Sequence, residues 1–250
     1  MNCDETSNGK TGRRAVAGMP GGWRSLMEPV PHWGGDTIKP FDESAFDSAQ
    51  RFPLTHYCVA SGDLNVYRVV GTRHHDYAGM TWAGLYVNGE RMDLNHRLLE
   101  EHPGYYIDPE HKKPTMDFVS LNGLDWYVDG DGNHRTCIAR FYFHTPGLTQ
   151  LRGVLLHDWR IDTDFVTALA VCQSIIKARR LPWELDPAHE IAGREDTAGW
   201  HLDRYHNYAT LTAPESVTRR FPSHLDRAAL KQLADFAGQP AWRRPWISGP

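Results

Sequence analysis

Cysteine is scarce in this chain, and its four copies lie far apart. They are Cys3, Cys58, Cys137 and Cys172, and no two of them form a Cys-x-x-Cys pair. Zinc ribbons and dithiol redox proteins need closely spaced thiols, so the spacing argues against both classes. Cys58 and Cys172 stand among apolar residues, which predicts that they are small buried side chains.

The sequence also lacks long hydrophobic runs and an excess of positive charge. It contains no window of about 18 apolar residues, so we expect no membrane segment. The polar, glycine-rich start lacks the apolar stretch of a signal peptide. A formal net charge of −4 excludes a protein coated in positive charge, so nucleic-acid binding would need a local basic patch. These features predict a cytoplasmic protein.

Apolar and aromatic residues are abundant by contrast. Hydrophobic residues make up 40% and aromatic residues 11% of the 250 positions, which is enough for a sizeable core. Residues 1–50 are rich in Gly and Pro and lack sustained periodicity, which predicts a flexible or loosely packed extension. We place the main domain at residues 51–212 and a C-terminal helix and tail at residues 213–250.

The first half of the main domain is predicted to be rich in strands. The segments THYCVA, VYRVV and TWAGLYV carry β-branched and aromatic residues, which favour strands. Asn88-Gly89 and Asn122-Gly123 follow strand-like segments, and Asn-Gly is the pair that a two-residue type I′ turn prefers. We therefore expect two hairpins in this half.

Helical periodicity begins after Gly132. The segment NHRTCIARFYFH is predicted to form a helix that ends before Pro146, and GVLLHDWRI is predicted to form a buried strand. A second helix is expected to begin at Asp162 or Thr163 and to end near Arg180, because its apolar residues recur at helical spacing.

A last helix is expected from Ser223, with Asp226 three residues on as a capping box. The order of elements, with strands first and then alternating helix and strand, indicates an α+β domain.

The segment WYVDGDGNHRTCIARF places a glycine turn between a strand and a helix. The first turn of a helix leaves N–H groups unpaired and carries partial positive charge, and preceding glycines leave room for a phosphate group. Arg135 adds donors suited to phosphate oxygens, and His134 can move a proton near neutral pH. Asp129 and Asp131 would repel a bare phosphate, which indicates that Mg²⁺ lies between them and the ligand.

Two simpler interpretations of the turn stay open at this point. Asp-Gly and Gly-Asn pairs are common in ordinary turns, so Asp131 or Asn133 can simply cap the helix. A calcium-binding loop is the other, but its sixth and twelfth positions would be His134 and Arg140, where such loops need Gly and Glu.

The box Gly132-Asn133-His134-Arg135, with Ala139 following, resembles the G-x-x-R-x-x-x-A box of the ParB/sulfiredoxin superfamily. The segments WYVDGD and GVLLHDWRI resemble the strands before and after that box. The resemblance is specific over about 17 residues and extends loosely over residues 55–210. It implies a ParB/sulfiredoxin-like mixed sheet with flanking helices, and a box that binds nucleotide phosphates.

Departures from the family pattern narrow the branch. Asn133 occupies the position of the catalytic cysteine of sulfiredoxins, which argues against sulfinic-acid reduction. Partition-type members have a second arginine where this chain has His134, and a DNA-reading helix-turn-helix for which we find no counterpart after residue 180. The resemblance then implies a free-standing domain like the plasmid fertility inhibition factors of the Osa and FiwA type. That group is associated with ATPase and DNase activity and with blocking DNA export.

The leading hypothesis is a phosphohydrolase that binds ATP or another nucleotide with Mg²⁺. The expected phosphate contacts are Gly130, Gly132, Asn133, His134, Arg135 and Thr136. The expected catalytic residues are Asp129, Asp131, His134 and Arg135, of which the two aspartates hold the metal ion. DNA and a type IV secretion component are expected partners. The alternatives are a non-catalytic interaction protein that blocks such a component, and a small-molecule kinase like those that phosphorylate free serine.

Four further polar clusters have both a functional and a structural interpretation. Residues 74–76 (His-His-Asp) predict either a metal or proton-transfer site or a solvated loop. Residues 157–162 predict a salt-bridged strand end or an active-site carboxylate. Residues 201–206 are suited to stacking on a nucleic-acid base or to a surface strand. The pairs Arg219-Arg220 and Arg243-Arg244 can contact phosphate backbone or face solvent.

Overall fold

The computed structural model describes residues 22–121 and 123–240, and this part of the chain is a mixed α+β structure with one eight-stranded sheet. The strands are β1 (Lys39–Pro40), β2 (Pro53–Asn65), β3 (Val69–Thr72), β4 (Asp117–Leu121), β5 (Trp126–Val128), β6 (Gln150–Ile161), β7 (Glu184–Thr197) and β8 (Trp200–Thr212). The α-helices are α1 (Glu43–Gln50), α2 (Trp82–Asn88), α3 (Met92–Glu101), α4 (Gly104–Ile107), α5 (Asn133–His144), α6 (Thr163–Ala178), α7 (Glu215–Thr218) and α8 (Arg227–Gly238).

The sheet has the strand order β1-β3-β5-β4-β6-β2-β8-β7. β1, β3 and β5 run parallel to one another, and β4 pairs antiparallel with β5 and parallel with β6. The long strands β6, β2, β8 and β7 are joined by antiparallel pairings. The sheet therefore has a mixed half, which carries the glycine turn after β5, and an antiparallel half beyond it.

Helix α5 lies at the centre of the larger hydrophobic core. Nine of its residues are buried, among them Phe141 and Phe143, which are fully shielded from solvent. A helix that is apolar around most of its circumference belongs inside a protein, and each buried Phe contributes about 1.5–3 kcal/mol. This core also includes Phe118 of β4 and Val128 of β5, so the strands on either side of the glycine turn are held by the same packing.

A second core lies between α6, α8 and the end of β8. Its buried residues include Phe165, Leu169 and Cys172 of α6, as the periodicity of that helix predicts. Leu230 and Leu233 of α8 pack into the same cluster. None of the helices in the described residues is both long enough and apolar enough to cross a membrane.

The segment before β2 is packed rather than loose over the residues that the structure describes. Trp33, Ile38 and Phe46 are all buried, and β1 extends the sheet by pairing with β3. The few large apolar residues of this Gly- and Pro-rich segment insert into the core, which its composition does not reveal. Residues 1–21, the rest of the predicted extension, lie outside the described part of the chain.

One of the two predicted hairpins is wrong, and the other forms with four residues (122–125) between its strands instead of the two that were predicted. TWAGLYV forms α2, because Thr81 caps it by accepting a hydrogen bond from the Gly84 N–H at 3.0 Å, and Trp82, Leu85 and Tyr86 are buried at helical spacing. The second hairpin joins β4 to β5 in antiparallel pairing, and Gly123 there has a φ of +65°.

The helix starts of the second half follow their aspartate caps. Asp162 caps α6 by accepting a hydrogen bond from the Phe165 N–H at 2.9 Å, as predicted. The last helix begins at Arg227 rather than at Ser223, with Asp226 as its cap. The reason is that Leu225 pairs with Ala209 of β8, which holds the preceding residues in an extended conformation.

The buried side chain of His96 in α3 is expected to make the stability of the fold sensitive to acid. Its ring is 1% exposed, donates from Nε2 to the Tyr86 carbonyl at 3.0 Å, and stacks on Trp23 at 3.9 Å. Burial lowers its pKa below the usual 6.5. Below about pH 6.5 the His96 ring binds a proton more readily in the unfolded chain than in the folded chain. The free energy of unfolding is therefore expected to fall as the pH drops below this value.

Urea unfolding at pH 7.5 and pH 5.5 measures this effect, with His96→Gln as the test variant. The variant is expected to lose less stability on acidification than the wild type does. His206→Gln, at an exposed position on β8, serves as the control. An unchanged pH dependence in His96→Gln would contradict this role of His96.

Candidate functional site

The glycine turn between β5 and α5 is fixed to the neighbouring strand β4. The Asp117 N–H donates to the Asp131 carbonyl at 3.0 Å, and the Asp129 N–H donates to the Asp117 carbonyl at 2.9 Å. Gly132 has a φ of +122°, and a Cβ at this position would lie 3.3 Å from Cβ of Met116. The turn therefore needs glycine both for its backbone angle and for its close approach to β4.

Helix α5 begins without a side-chain cap. Gly132 is its N-cap residue, and no side-chain hydrogen bond caps the helix. By contrast, Thr81, Asp162 and Asp226 cap α2, α6 and α8. Asp131 forms an ion pair with Arg135 at 2.7 Å instead. The interpretation of the turn as an ordinary capped turn is therefore wrong, and the first-turn N–H groups of α5 keep their capacity to bind an anion.

A cavity of about 340 Å³ opens at this helix start. Three segments form its wall: the loop after β3, the link between α2 and α3, and the glycine turn. The lining residues are His74, Asp76, Tyr77, Glu90, Arg91, Gly130, Asp131, Asn133 and His134. Helix α3 also begins here, with Arg91 as an N-cap residue that makes no side-chain cap bond. Two uncapped helix starts and one arginine thus meet at one polar cavity.

Arg91 and Arg135 have different surroundings. Arg91 is exposed and lines the cavity. The Arg135 guanidinium donates to the Tyr105 hydroxyl at 2.6 Å, to the Thr115 carbonyl at 3.2 Å and to the Pro114 carbonyl. It lines a separate cavity of about 360 Å³. In this conformation Arg135 anchors the turn, and its predicted phosphate contact stays a prediction.

The two aspartates of the turn each have an arginine partner. Asp129 Oδ1 lies 2.9 Å from Arg73, which also pairs with Glu43 at 2.8 Å. Asp131 is bound to Arg135, as described above. The two carboxylates therefore do not form a shared group of ligands in this conformation. The carboxylates that line the cavity besides Asp131 are Asp76 and Glu90.

His134 lies between the cavity and the core. Its Nε2 is buried without a hydrogen-bond partner among the described residues, and its ring meets the edge of Tyr77 at 5.0 Å. Burial, and next the charge of Arg91, lower the pKa of His134. A lowered pKa favours the neutral imidazole, in which one ring nitrogen carries a proton and the other can accept one.

The remaining predicted contacts divide between the cavity and the interior. Gly130 and Asn133 line the cavity, whereas the Thr136 side chain is fully buried and its hydroxyl has no hydrogen-bond partner among the described residues. Next to Gly130 lies the Asp117 carboxylate, whose pKa is raised by burial and by Asp129. Thr136 is thus held inside the core, and Gly132, which is also buried, is not among the residues that line the cavity.

Most of the other polar clusters are structural. Asp158 and Arg160 form an ion pair at 2.8 Å, which agrees with the prediction of a salt-bridged strand end. Arg219 pairs with Glu215, and Arg220 lies over the Phe236 ring at 5.6 Å. Arg243-Arg244 lies outside the described residues. Two clusters are exceptions. Residues 74–76 border the cavity and bring three metal-binding side chains close together. Residues 201–206 contribute His201 and Asp203 to a second such group, which lies apart from the cavity.

Sequence reasoning missed Tyr77, Glu90 and Arg91. The segment NGER predicts a hairpin, and that prediction does not place a helix start next to Arg91. The signal that could have found it is the helical spacing of Trp82, Leu85 and Tyr86, which makes Gly89 a helix end.

Comparison with known proteins adds no relative to this picture. No family model, no curated protein and no solved structure matches the chain.

Proposed function

We propose that this protein binds a nucleotide, such as ATP, through its phosphates in the cavity at the start of α5. The observation that carries the proposal is the uncapped start of α5, which opens together with Arg91 into one polar cavity. Unpaired N–H groups and the helix dipole stabilise an anion at this position. Arg91 supplies the full positive charge that a phosphate group requires.

The size and lining of the cavity suit a nucleotide. Small-molecule sites usually occupy about 300–1,000 Å³, and this cavity has about 340 Å³. The rings of His74 and Tyr77 lie 4.6 Å apart in its wall, and aromatic faces of this kind can stack on a base. The phosphates would lie against the helix start, and the base against this aromatic wall.

A Mg²⁺ ion fits the acidic part of the same wall. Magnesium is usually held by one or two carboxylates together with substrate phosphates. Asp76 and Glu90 line the cavity, and among the described residues neither carboxylate forms an ion pair with an arginine. Asp131 can join them only by leaving Arg135. When bound, the ion would neutralise phosphate charge and polarise the phosphoryl group for hydrolysis.

The order β4, β5, glycine turn, α5, β6 supports a fold of ParB/sulfiredoxin type. On that basis we assign the chain to phosphohydrolases that act on ATP or DNA, and its biological role to plasmid fertility inhibition through a type IV secretion component. His134, which lines the cavity, would accept a proton from an attacking water.

Arg91→Ala tests the site, with Arg97→Ala on the same helix as the matched control. Calorimetric titration with ATP and Mg²⁺ is expected to show binding by the wild type and by Arg97→Ala. Arg91→Ala is expected to bind about tenfold more weakly, which corresponds to about 1.4 kcal/mol. Arg97 is exposed and does not line the cavity, so equal losses in both variants would indicate a nonspecific charge effect and contradict the site.

Hydrolysis is tested separately from binding by phosphate release. His134→Gln is expected to keep ATP binding and to lower the rate of release by about 10²-fold or more. Binding without any release by the wild type would leave the nucleotide site standing and exclude the phosphohydrolase.

A further inference from the structure

A second group of side chains converges on one face of the antiparallel half of the sheet. His56 lies on β2, and His201 and Asp203 lie on the neighbouring strand β8. His56 is directly opposite Asp203 in the antiparallel register, and Cys58 is opposite His201. Because opposite residues share a face and side chains alternate along a strand, the two histidines and the aspartate project from the same side.

These three side chains are close enough to share one ion. One ligand atom from each lies within 4.8 Å of the ligand atoms of the other two. His201 Nε2 lies 4.0 Å from Asp203 Oδ2. Ligand atoms around a tetrahedral Zn²⁺ are about 3.4 Å apart, because each metal–ligand bond is about 2.0–2.1 Å long. Small side-chain rotations would therefore bring all three atoms to bonding distance.

The Asp203 carboxylate is buried and has a different neighbour at each oxygen. Its exposed fraction is 5%, and burial of a carboxylate is costly unless it is paired. Oδ1 lies 2.9 Å from Arg194 Nε on β7, whereas Oδ2 faces His201. Arg194 can therefore stay with Oδ1 while Oδ2 binds an ion, so the arginine orients the carboxylate as well as neutralising part of its charge.

His56 is held on two sides by residues of β6. Its Nε2 lies 3.2 Å from Nδ1 of His157, and its ring stacks on Trp159 at 3.8 Å with an angle of 9° between the planes. Histidines that bind metal ions are commonly oriented through a hydrogen bond at the other ring nitrogen. The contact with His157 can orient the His56 ring in this way, and an ion would then bind the other ring nitrogen.

From this geometry we propose that His56, His201 and Asp203 bind a divalent transition metal ion, Zn²⁺ in the first instance. Imidazole ligands favour zinc and its neighbours in the transition series, whereas Mg²⁺ and Ca²⁺ prefer oxygen. Three protein ligands leave a fourth position for water or a substrate, which is the pattern of catalytic rather than structural zinc sites. This site shares no residue with the nucleotide cavity, so the two proposals stand independently.

The experiment uses the full chain after treatment with a chelator. Zn²⁺ is titrated in competition with a chromophoric chelator, and Co²⁺ is then added as a spectroscopic probe. One ion is expected to bind per chain, and Co²⁺ is expected to give the visible absorption of a four-coordinate site. His201→Gln and Asp203→Asn are each expected to weaken Zn²⁺ binding about tenfold or more.

Two control variants distinguish this site from other histidines. His206→Gln changes the same strand on the opposite face, at an exposed position, and is expected to leave Zn²⁺ affinity unchanged. The pair His74→Gln and His75→Gln removes the exposed group at residues 74–76, which also brings its ligand atoms within 4.8 Å. Loss of binding in that double variant, with retention in His201→Gln and Asp203→Asn, would overturn the proposal.

Two further outcomes also decide the matter. Absence of Zn²⁺ binding by the wild type overturns the proposal, since it would leave Arg194, Asp203 and His201 as an ion-paired surface of the sheet. If His201→Gln fails to fold, the proposal is tested by Asp203→Asn and by the Co²⁺ spectrum of the wild type, because neither measurement depends on that variant.

Discussion

Replacing Gly132 by alanine is expected to abolish detectable nucleotide binding and to lower the free energy of unfolding by about 1–3 kcal/mol. The φ of +122° is one that L side chains rarely adopt, and the new Cβ would lie 3.3 Å from Cβ of Met116. Relief of this strain must move either β4 or the first turn of α5. Because the proposed phosphate site consists of the N–H groups of that turn, a shift of the helix start would remove it.

Gly147→Ala is the matched control for this change. Gly147 also has a positive φ, +70°, but a Cβ there would meet no atom within 4 Å. Gly147 lies just beyond the C-terminal end of α5. An alanine there would be strained in its backbone as at Gly132, but it would lie away from the cavity. Chemical denaturation and ATP titration of both variants are expected to show a stability loss in each and a binding loss only in Gly132→Ala. Normal ATP binding by Gly132→Ala would contradict the assignment of the phosphate to this helix start.

Replacing Arg140 by alanine is expected to lower the free energy of unfolding by about 3–5 kcal/mol. Arg140 is 4% exposed, and its guanidinium lies 4.2 Å from the centre of the Trp82 ring and 4.7 Å from that of Trp33. It donates to the Val69 carbonyl at 2.7 Å. Burial lowers its pKa to about 10, so the side chain stays charged at neutral pH and is held by the aromatic faces.

The variant Arg140→Met separates packing from charge. Methionine fills much of the same volume, and exchanging a buried charge for an apolar side chain is often nearly neutral. We expect Arg140→Met to cost clearly less than Arg140→Ala in urea unfolding. A loss of unfolding free energy below about 1 kcal/mol in Arg140→Ala would show that the Trp33 and Trp82 rings close the cavity left by the side chain. It would contradict the view that Arg140 fixes α5 against β3.

Local sequence signals predicted the elements around the site. The glycine turn and helix α5 were predicted because β5 is apolar and aromatic, and because helical residues follow Gly132 without interruption. The hairpin at Gly123 and the Asp162 cap of α6 were predicted for the same reason, since each depends on a few adjacent residues. The segment TWAGLYV was predicted wrongly because burial of Trp82, Leu85 and Tyr86 in the core, together with the local cap at Thr81, makes it a helix.

The far wall of the site depends on chain topology, which local patterns do not contain. His74, Tyr77 and Arg91 reach the glycine turn only because β3 pairs with β5 and because α3 packs on α5. The histidine and aspartate group on β2 and β8 has the same origin. His56 lies about 145 positions before His201 and Asp203 in the sequence. Only the strand register brings His56 opposite Asp203.

The most direct test of the nucleotide site is the position of the amide signals that ATP perturbs. In ¹H–¹⁵N spectra of the wild type, addition of ATP with Mg²⁺ is expected to shift the amides of Asn133, His134 and Arg135 most, with smaller shifts at Glu90 and Arg91. Asn133, His134 and Arg135 form the first turn of α5, and Glu90 and Arg91 lie directly before α3 in the wall of the cavity. Unchanged signals in residues 130–136, or shifts confined to the antiparallel half of the sheet, would contradict the proposed phosphate site.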